Sequence, residues 1–359
     1  MENKKIKLLI VEDSQVMQRI LMHIFSIDSD IEIVGMASDP YVARDLINVT
    51  NPDILTLDIE MPKMDGVTFL KNIMKLHPLP VVMVSSFTEK GNSITMEALA
   101  LGAVDCMRKP TFKELENIGE YAHELITAVK NASLAKVRSP LHHSLIPYIK
   151  NGKETLHNTG LNLSNYVIAI GASTGGIEAI ERLLKQLPVN VPGIMIVQHI
   201  NEAFCSSFIQ RLNNHSRFTV LEARRGLQIK PGHVIVAQGG IHLEIVRDHR
   251  GQYFSKLSSG EKVNGHKPSV DVLFESLALA TGANGIAILL TGMGRDGGDG
   301  LRAVKNAGGE TIAQNKETSV VWGMPGYAVE IKAADHILPI DKIGEHIIRK
   351  FYNIQHVRS

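Results

Sequence analysis

The chain has 359 residues, and at about 150 residues per domain that length predicts two domains of unequal size. Its 38 Lys+Arg against 37 Asp+Glu leave a formal charge of +1, so no global field draws it to nucleic acid or to an anionic membrane surface. A hydrophobic content of 44% with 21% charged residues is globular and excludes a disordered chain.

The two cysteines, Cys106 and Cys205, exclude a disulfide framework and a four-cysteine zinc site, and reduced cytosol is the expected compartment. Leu8 to Val11 is too short for a signal-peptide core, and no stretch reaches the roughly 18 consecutive apolar residues of a membrane span. No membrane insertion is expected.

Residues 1–130 alternate β-rich runs at 7–13, 31–37, 53–58, 80–86 and 104–107 with segments of helical period. Runs nearly continuous in Val, Ile and Leu, separated by crossover helices, predict parallel strands buried on both faces. The result is a flavodoxin-like five-stranded parallel domain with its sites beyond the carboxyl ends of the strands. Residues 131–165 hold Pro140, Pro147, Gly152 and Gly160 and form a linker. Its Leu141, Leu145, Ile146 and Ile149 leave docked and free linkers both open.

Residues 166–359 resume the alternation as a doubly wound α/β domain. Strands are expected at YVIAIGAS, GIMIVQHI and TVLEA, with helices near 177–187 and 203–214. HVIVAQ, IHLEIVR and QYFSKL are short, alternating and split by glycine-rich turns, which reads as an antiparallel hairpin insertion. Parallel character returns with GIAILLTG (285–292), a helix after Gly297, ETIAQ (310–314) and a terminal helix near 341–353.

Two groups of residues carry chemistry. Glu12 and Asp13 close the first strand and Asp58 the third, so three carboxylates converge on neighbouring strand ends. Their repulsion calls for a hard cation, and oxygen-only ligands favour Mg²⁺. Ser85 and Lys109 end strands four and five, and the set reads as a phosphoryl site with Asp58 as nucleophile. An acid at a strand end is by itself usually a turn or cap residue; the combination carries the reading. The string LTLDIEMPKMDG (55–66), with VEDS before it and SS and KP after strands four and five, resembles the receiver domain of bacterial response regulators. That resemblance implies phosphorylation of Asp58 by a partner histidine kinase, a metal held by Asp13, Asp58 and the Glu60 carbonyl, and a cis Lys109–Pro110 bond. Cys106 stands where receivers commonly carry an aromatic.

The second group begins at GASTGG (171–176), a G-x-S-x-G turn between an apolar strand and an amphipathic helix. Such a turn projects Ser173 and leaves helix N-terminal N–H groups facing an oxyanion. His199 ends the next strand and Asp296 follows a later one, so Ser, His and Asp share one rim in an order unlike that of α/β-hydrolases. Dinucleotide binding lacks the G-x-G-x-x-G spacing and the ribose-binding acid. With QH, NGHKPSVD and TGMGRDG, the domain is similar to the catalytic domain of the chemotaxis protein-glutamate methylesterase (CheB) family. The resemblance implies Ser173 as nucleophile, His199 as base, Asp296 as orienting acid and Thr174, His266 and Met293 lining the site. It further implies methylated chemoreceptors as substrates; a glutamine amide passes through the same tetrahedral oxyanion, so deamidation is expected as a second activity. Because the receiver is tethered to the esterase through residues 131–165, it is expected to cover the active-site rim until phosphorylated. Mg²⁺ serves phosphorylation only, no cofactor serves the esterase step, and a monomer is expected. A response regulator with a DNA-binding output is disfavoured by charge and by the absence of a helix-turn-helix pattern; composition leaves a protein-binding output open.

Overall fold

A computed structural model describes residues 4–86, 89–111, 118–137 and 162–357. The chain divides into two compact units, Met1–Leu145 and Ile146–Ser359, and most of the expected linker lies outside the described residues.

In the first unit, β1 (Ile6–Val11), β2 (Ile31–Ala37), β3 (Ile54–Asp58), β4 (Val81–Ser85) and β5 (Asp105–Arg108) alternate with α1 (Gln15–Ser26), α2 (Pro40–Thr50), α3 (Gly66–Leu76), α4 (Glu89–Ala100) and α5 (Ile118–Ser133). All strands are parallel, in the order β2-β1-β3-β4-β5. Leu8, Leu9, Ile10 and Val11 are buried on both faces, which is why the strand shows no polar alternation. Helix starts follow local chemistry. The side chains of Ser14, Asp39 and Asp65 accept from backbone N–H groups in the first turns of α1, α2 and α3, and Pro40 takes the first helical position, where it removes no helical bond. The chain reverses its winding direction between β1 and β3, so their carboxyl ends open into a crevice.

The second unit carries a seven-stranded parallel sheet. Its elements are β6 (Val167–Ala172), α6 (Gly176–Gln186), β7 (Gly193–Gln198), α7 (Glu202–His215), β8 (Thr219–Glu222), β9 (His233–Val236), β10 (His242–Arg247), β11 (Tyr253–Ser258), α8 (Val270–Thr281), β12 (Gly285–Leu289), α9 (Gly298–Asn306), β13 (Glu310–Gln314), α10 (Met324–Glu330), β14 (His336–Leu338) and α11 (Ile340–Val357). The strand order is β14-β13-β12-β6-β7-β9-β8. Winding runs outward from β6 in both directions, which puts the switch point at β6 and its neighbours β12 and β7. The antiparallel hairpin β10-β11 stands apart from this sheet and packs on α8, where Ser276 Oγ accepts from Ile245 N at 3.0 Å. Leu243, Ile245 and Tyr253 of the hairpin join Leu273, Phe274 and Leu277 of α8 in one buried cluster. Among the described residues no helix is long and apolar enough to cross a membrane.

Three expectations change. HVIVAQ is not part of the antiparallel insertion: β9 pairs in parallel with both β7 and β8. The β8-to-β9 crossover is an irregular segment, so the helical period that normally announces a parallel connection is missing. The bond ahead of Pro110 is trans, and the cis bond among the described residues is Lys267–Pro268; trans is the lower-energy form for an X–Pro bond when no contact opposes it. Helices α8 and α10 and strand β14 were not anticipated. The run at α8 is apolar almost all round, with eight of its residues buried, and so offers no amphipathic signature.

Gly171 shows how tightly β6 is packed. A Cβ there would lie 2.1 Å from Val270 Cγ1, and both residues are buried. Gly171→Ala is expected to destabilise the protein by about 1–3 kcal/mol, the usual cost of overpacking. Chemical denaturation of Gly171→Ala, Val270→Ala and the double variant should show the pair costing less than the sum of the singles.

Candidate functional site

In the first unit the sheet register makes β1 and β3 neighbours, with Val11 opposite Leu57. Glu12, Asp13 and Asp58 therefore meet, their ligand atoms all within 4.8 Å of one another. Glu12 and Asp58 are buried, whereas Asp13 is exposed. Lys109 reaches back from the end of β5, its Nζ 2.8 Å from Asp58 Oδ2 and 2.9 Å from Glu12 Oε1. Ser85 is buried at the end of β4, and its carbonyl accepts from Lys109 N at 2.7 Å. The Glu60 N–H donates to Asp58 Oδ1 at 3.3 Å. All six residues singled out for phosphoryl chemistry lie on this rim.

One ammonium does not balance three carboxylates. Burial, with Asp58 beside it, pushes the Glu12 carboxyl up to about 7 against the pull of Lys109. Burial also keeps Asp58 above the ordinary carboxylate range despite Lys109. Burial would lower the Lys109 ammonium, but its bonds to Asp58 and Glu12 hold it above its ordinary value. A pocket of hard oxygen donors with residual negative charge fits a magnesium ion in size and chemistry.

In the second unit Ser173 follows β6 and His199 follows β7, two strands paired up to Ala172 opposite Gln198. The His199 N–H donates to Ala172 O at 3.0 Å, and the Gln198 side-chain amide donates to the carbonyls of both Ser173 and His199 at 2.9 and 3.0 Å. The serine turn needs glycine. Gly175 has φ +74° with Val320 pressed against it, and a Cβ on Gly176 would meet Gln198 Oε1 at 2.1 Å.

Asp296, buried in the loop after β12, is the most heavily bonded group of the site. It faces His199 Nε2 at 2.8 Å and accepts from Ser269 Oγ and Val270 N at 2.7 Å each, and from Asn264 Nδ2 and Asp271 N at 3.2 Å each. Burial alone would raise its pKa, but His199, Ser269 and Val270 outweigh it and hold the carboxylate ionised far below the usual range. An ionised acceptor at Nε2 requires the proton on that nitrogen. Nδ1 is then the bare, basic nitrogen; it is buried and without a hydrogen-bond partner among the described residues. In the serine-protease template the carboxylate takes the other ring nitrogen.

His266 stacks on His199 with ring centroids 3.7 Å apart and planes at 9°. Burial, and then the His199 charge, push its pKa down to about 4. The loop carrying Met293 runs beside the serine: a Cβ on Gly292 would lie 2.8 Å from Ser173 Cβ, and Thr291 Oγ1 donates to Thr174 O at 2.9 Å. Six residues named from the sequence thus share one strand-end rim. Sequence reasoning did not single out Asn264, Ser269, Asp271, Gln198 or Thr291. Asn264, Ser269 and Asp271 lay within the NGHKPSVD string, whose polar residues were the available signal. Asn264 bridges Asp296 to Asp271 through Oδ2 of the latter at 2.6 Å, and the Gly300 N–H donates to Asp271 Oδ1 at 2.7 Å.

Comparison with known proteins agrees across both units. The family model for the response regulator receiver domain matches residues 8–118, and that for the CheB methylesterase matches residues 168–347. A "protein-glutamate methylesterase/protein-glutamine glutaminase 2" of Xanthomonas oryzae pv. oryzae is 44% identical over 347 residues, 96% of each chain. A counterpart in Hahella chejuensis is 45% identical over 355 residues, again 96% of each. The crystal structure of the Thermotoga maritima CheB methylesterase catalytic domain, at 40% identity and a TM-score of 0.50, covers 51% of this chain and 97% of that one. A chain that shares a receiver sheet, a methylesterase sheet and end-to-end similarity with these proteins belongs to the family of protein-glutamate methylesterases/protein-glutamine glutaminases.

Proposed function

We propose that this protein removes methyl groups from glutamate γ-esters on chemoreceptors, through Ser173, His199 and Asp296, under control of phosphorylation at Asp58. The observation that carries the reading is the His199–Asp296 contact at 2.8 Å with a basic, unpartnered Nδ1 one strand from Ser173. Nδ1 takes the Ser173 proton as Oγ attacks the ester carbonyl, and Asp296 stabilises the resulting imidazolium. Backbone N–H groups at the start of α6 and at Met293 face the developing oxyanion. Collapse releases methanol with the proton held on His199, and water then frees the glutamate by the reverse sequence. A glutamine amide passes through the same tetrahedral intermediate, so deamidation uses the same groups. His266, kept neutral by its low pKa, lies against His199 without opposing its charge. Thr174 and Met293 line the cleft.

In the receiver unit, Asp58 is the phosphoryl acceptor from a histidine kinase, and Ser85 and Lys109 contact the incoming oxygens. Asp13, Asp58 and the Glu60 carbonyl, with Glu12 alongside, would hold Mg²⁺, which supplies charge neutralisation for the phosphoryl group. Phosphorylation shifts the population from a covered to an open esterase.

Methanol release from methylated receptor membranes should fall by several orders of magnitude in Ser173→Ala and by about 10⁴-fold in Asp296→Asn, since the triad acts as a unit. Wild-type turnover in Ser173→Ala would remove the assignment. A small phosphodonor with Mg²⁺ should raise turnover of the full chain, and Asp58→Asn or chelation of Mg²⁺ should abolish that response while leaving the basal rate. A fragment beginning near Leu161 should be at least as active as the unphosphorylated chain; a slower fragment would argue that the receiver activates by contact.

The depressed His266 value also fixes a stability trend. The unfolded imidazole takes up a proton near 6.5 and the folded one near 4, so the unfolded state binds more protons between these values and stability falls as pH drops through that window. Asp271, pushed up to about 7 mainly by burial, acts in the opposite sense over an overlapping range. Subtracting the profile of His266→Gln isolates the histidine: denaturation at pH 7 and pH 4 should show the wild type losing up to about 3 kcal/mol more.

A further inference from the structure

Glu310, His336 and His346 come together at the amino ends of β13 and β14, where α11 passes over them. This is the end of the sheet opposite to Ser173. Their ligand atoms all lie within 4.8 Å of one another. His346 Nε2 is 2.5 Å from Glu310 Oε1, and His336 Nε2 is 3.7 Å from the same oxygen. The imidazole rings are 4.3 Å apart at 52°, so they converge edge-wise on the carboxylate rather than stacking flat. Lys350 pairs with the other oxygen, Oε2.

We propose that these three side chains form a binding site for a zinc-class divalent cation that ties α11 to the edge of the methylesterase sheet. Bonds of about 2.0–2.2 Å from a tetrahedral zinc ion to nitrogen and carboxylate oxygen separate neighbouring ligands by roughly 3.3 Å, and the two distances to Glu310 Oε1 bracket that spacing. Two imidazoles and one carboxylate are a common zinc ligand set. The Glu310 side chain is only 11% exposed, whereas His336 is 42% exposed, so the site opens to solvent on one side and a water completes the fourth position. Ligating carboxylates are characteristically hydrogen-bonded through the oxygen the metal does not use, which is the position Lys350 occupies. Binding would place a metal–nitrogen bond where His346 and Glu310 otherwise share a hydrogen bond.

The test uses the full-length protein, stripped of metal and titrated with ZnCl₂ under isothermal calorimetry and thermal melting. The expected result is stoichiometric uptake and a rise in melting temperature of about 5 °C or more at saturating zinc. His336→Gln and His346→Gln should each weaken uptake at least tenfold, while Asp58→Asn, which alters the receiver's carboxylate pocket, should keep it. Co²⁺ in place of zinc should give the intense visible bands of a four-coordinate ion, lost in the histidine variants. The apo melting temperatures of the variants separate a lost ligand from a damaged fold. Absence of uptake, or uptake undiminished in the double histidine variant, would show that the three residues form an ion-pair network only.

Discussion

The second unit is organised around a single buried negative charge. An ionised carboxylate in a protein interior is tolerable only when its lone pairs are occupied, and Asp296 has five partners drawn from two distant segments: His199 after β7, and residues 264–271 leading into α8. Satisfying Asp296 therefore fixes the start of α8, the conformation of the NGHKPSVD loop and the tautomer of His199 at once. Charge-assisted bonds of this kind contribute about 1.5–3 kcal/mol each, enough together to hold a loop against its entropy. The tautomer that leaves His199 Nδ1 free of a proton follows from this anchoring of the carboxylate.

Both units apply the same topological rule to different chemistry. In the first, winding reverses between β1 and β3, and Glu12, Asp13 and Asp58 gather at that crevice. In the second it reverses about β6, and Ser173, His199 and Asp296 come from β6 and its two neighbours. The difference lies in how charge is managed. In the receiver pocket three carboxylates outnumber one ammonium, and Glu12 near 7 records the imbalance that a hard cation relieves. At the esterase rim one carboxylate is fully satisfied by hydrogen bonds, and its surplus charge is directed onto one imidazole.

The legible part of the sequence was what local patterns encode. Strands buried on both faces announce themselves as runs of Val, Ile and Leu, and the serine turn announces itself by its glycines. Residues at strand ends followed directly, which is why Asp58, Lys109, Ser173 and His199 could be named before any coordinates. The illegible parts have specific causes. β9 lacked a helical crossover and resembled its hairpin neighbours. α8 is apolar on most of its faces, and its solvent-facing stripe itself carries Val272 and Leu279, so no polar face marks it. Asn264 and Ser269 sit in a loop whose pairing with Asp296 spans 32 and 27 residues, beyond the reach of any periodicity.

By itself the amino-acid sequence determined two α/β units, the receiver and methylesterase resemblance, and the residue types at each strand end, because these depend on contacts within a few residues or on motif strings. Only the tertiary structure decided which nitrogen of His199 faces Asp296, that His266 lies flat against it, and that Glu310, His336 and His346 meet. Those outcomes depend on sheet order and on the packing of α8 and α11. They arise from burial and distance in the assembled fold, which no single segment carries.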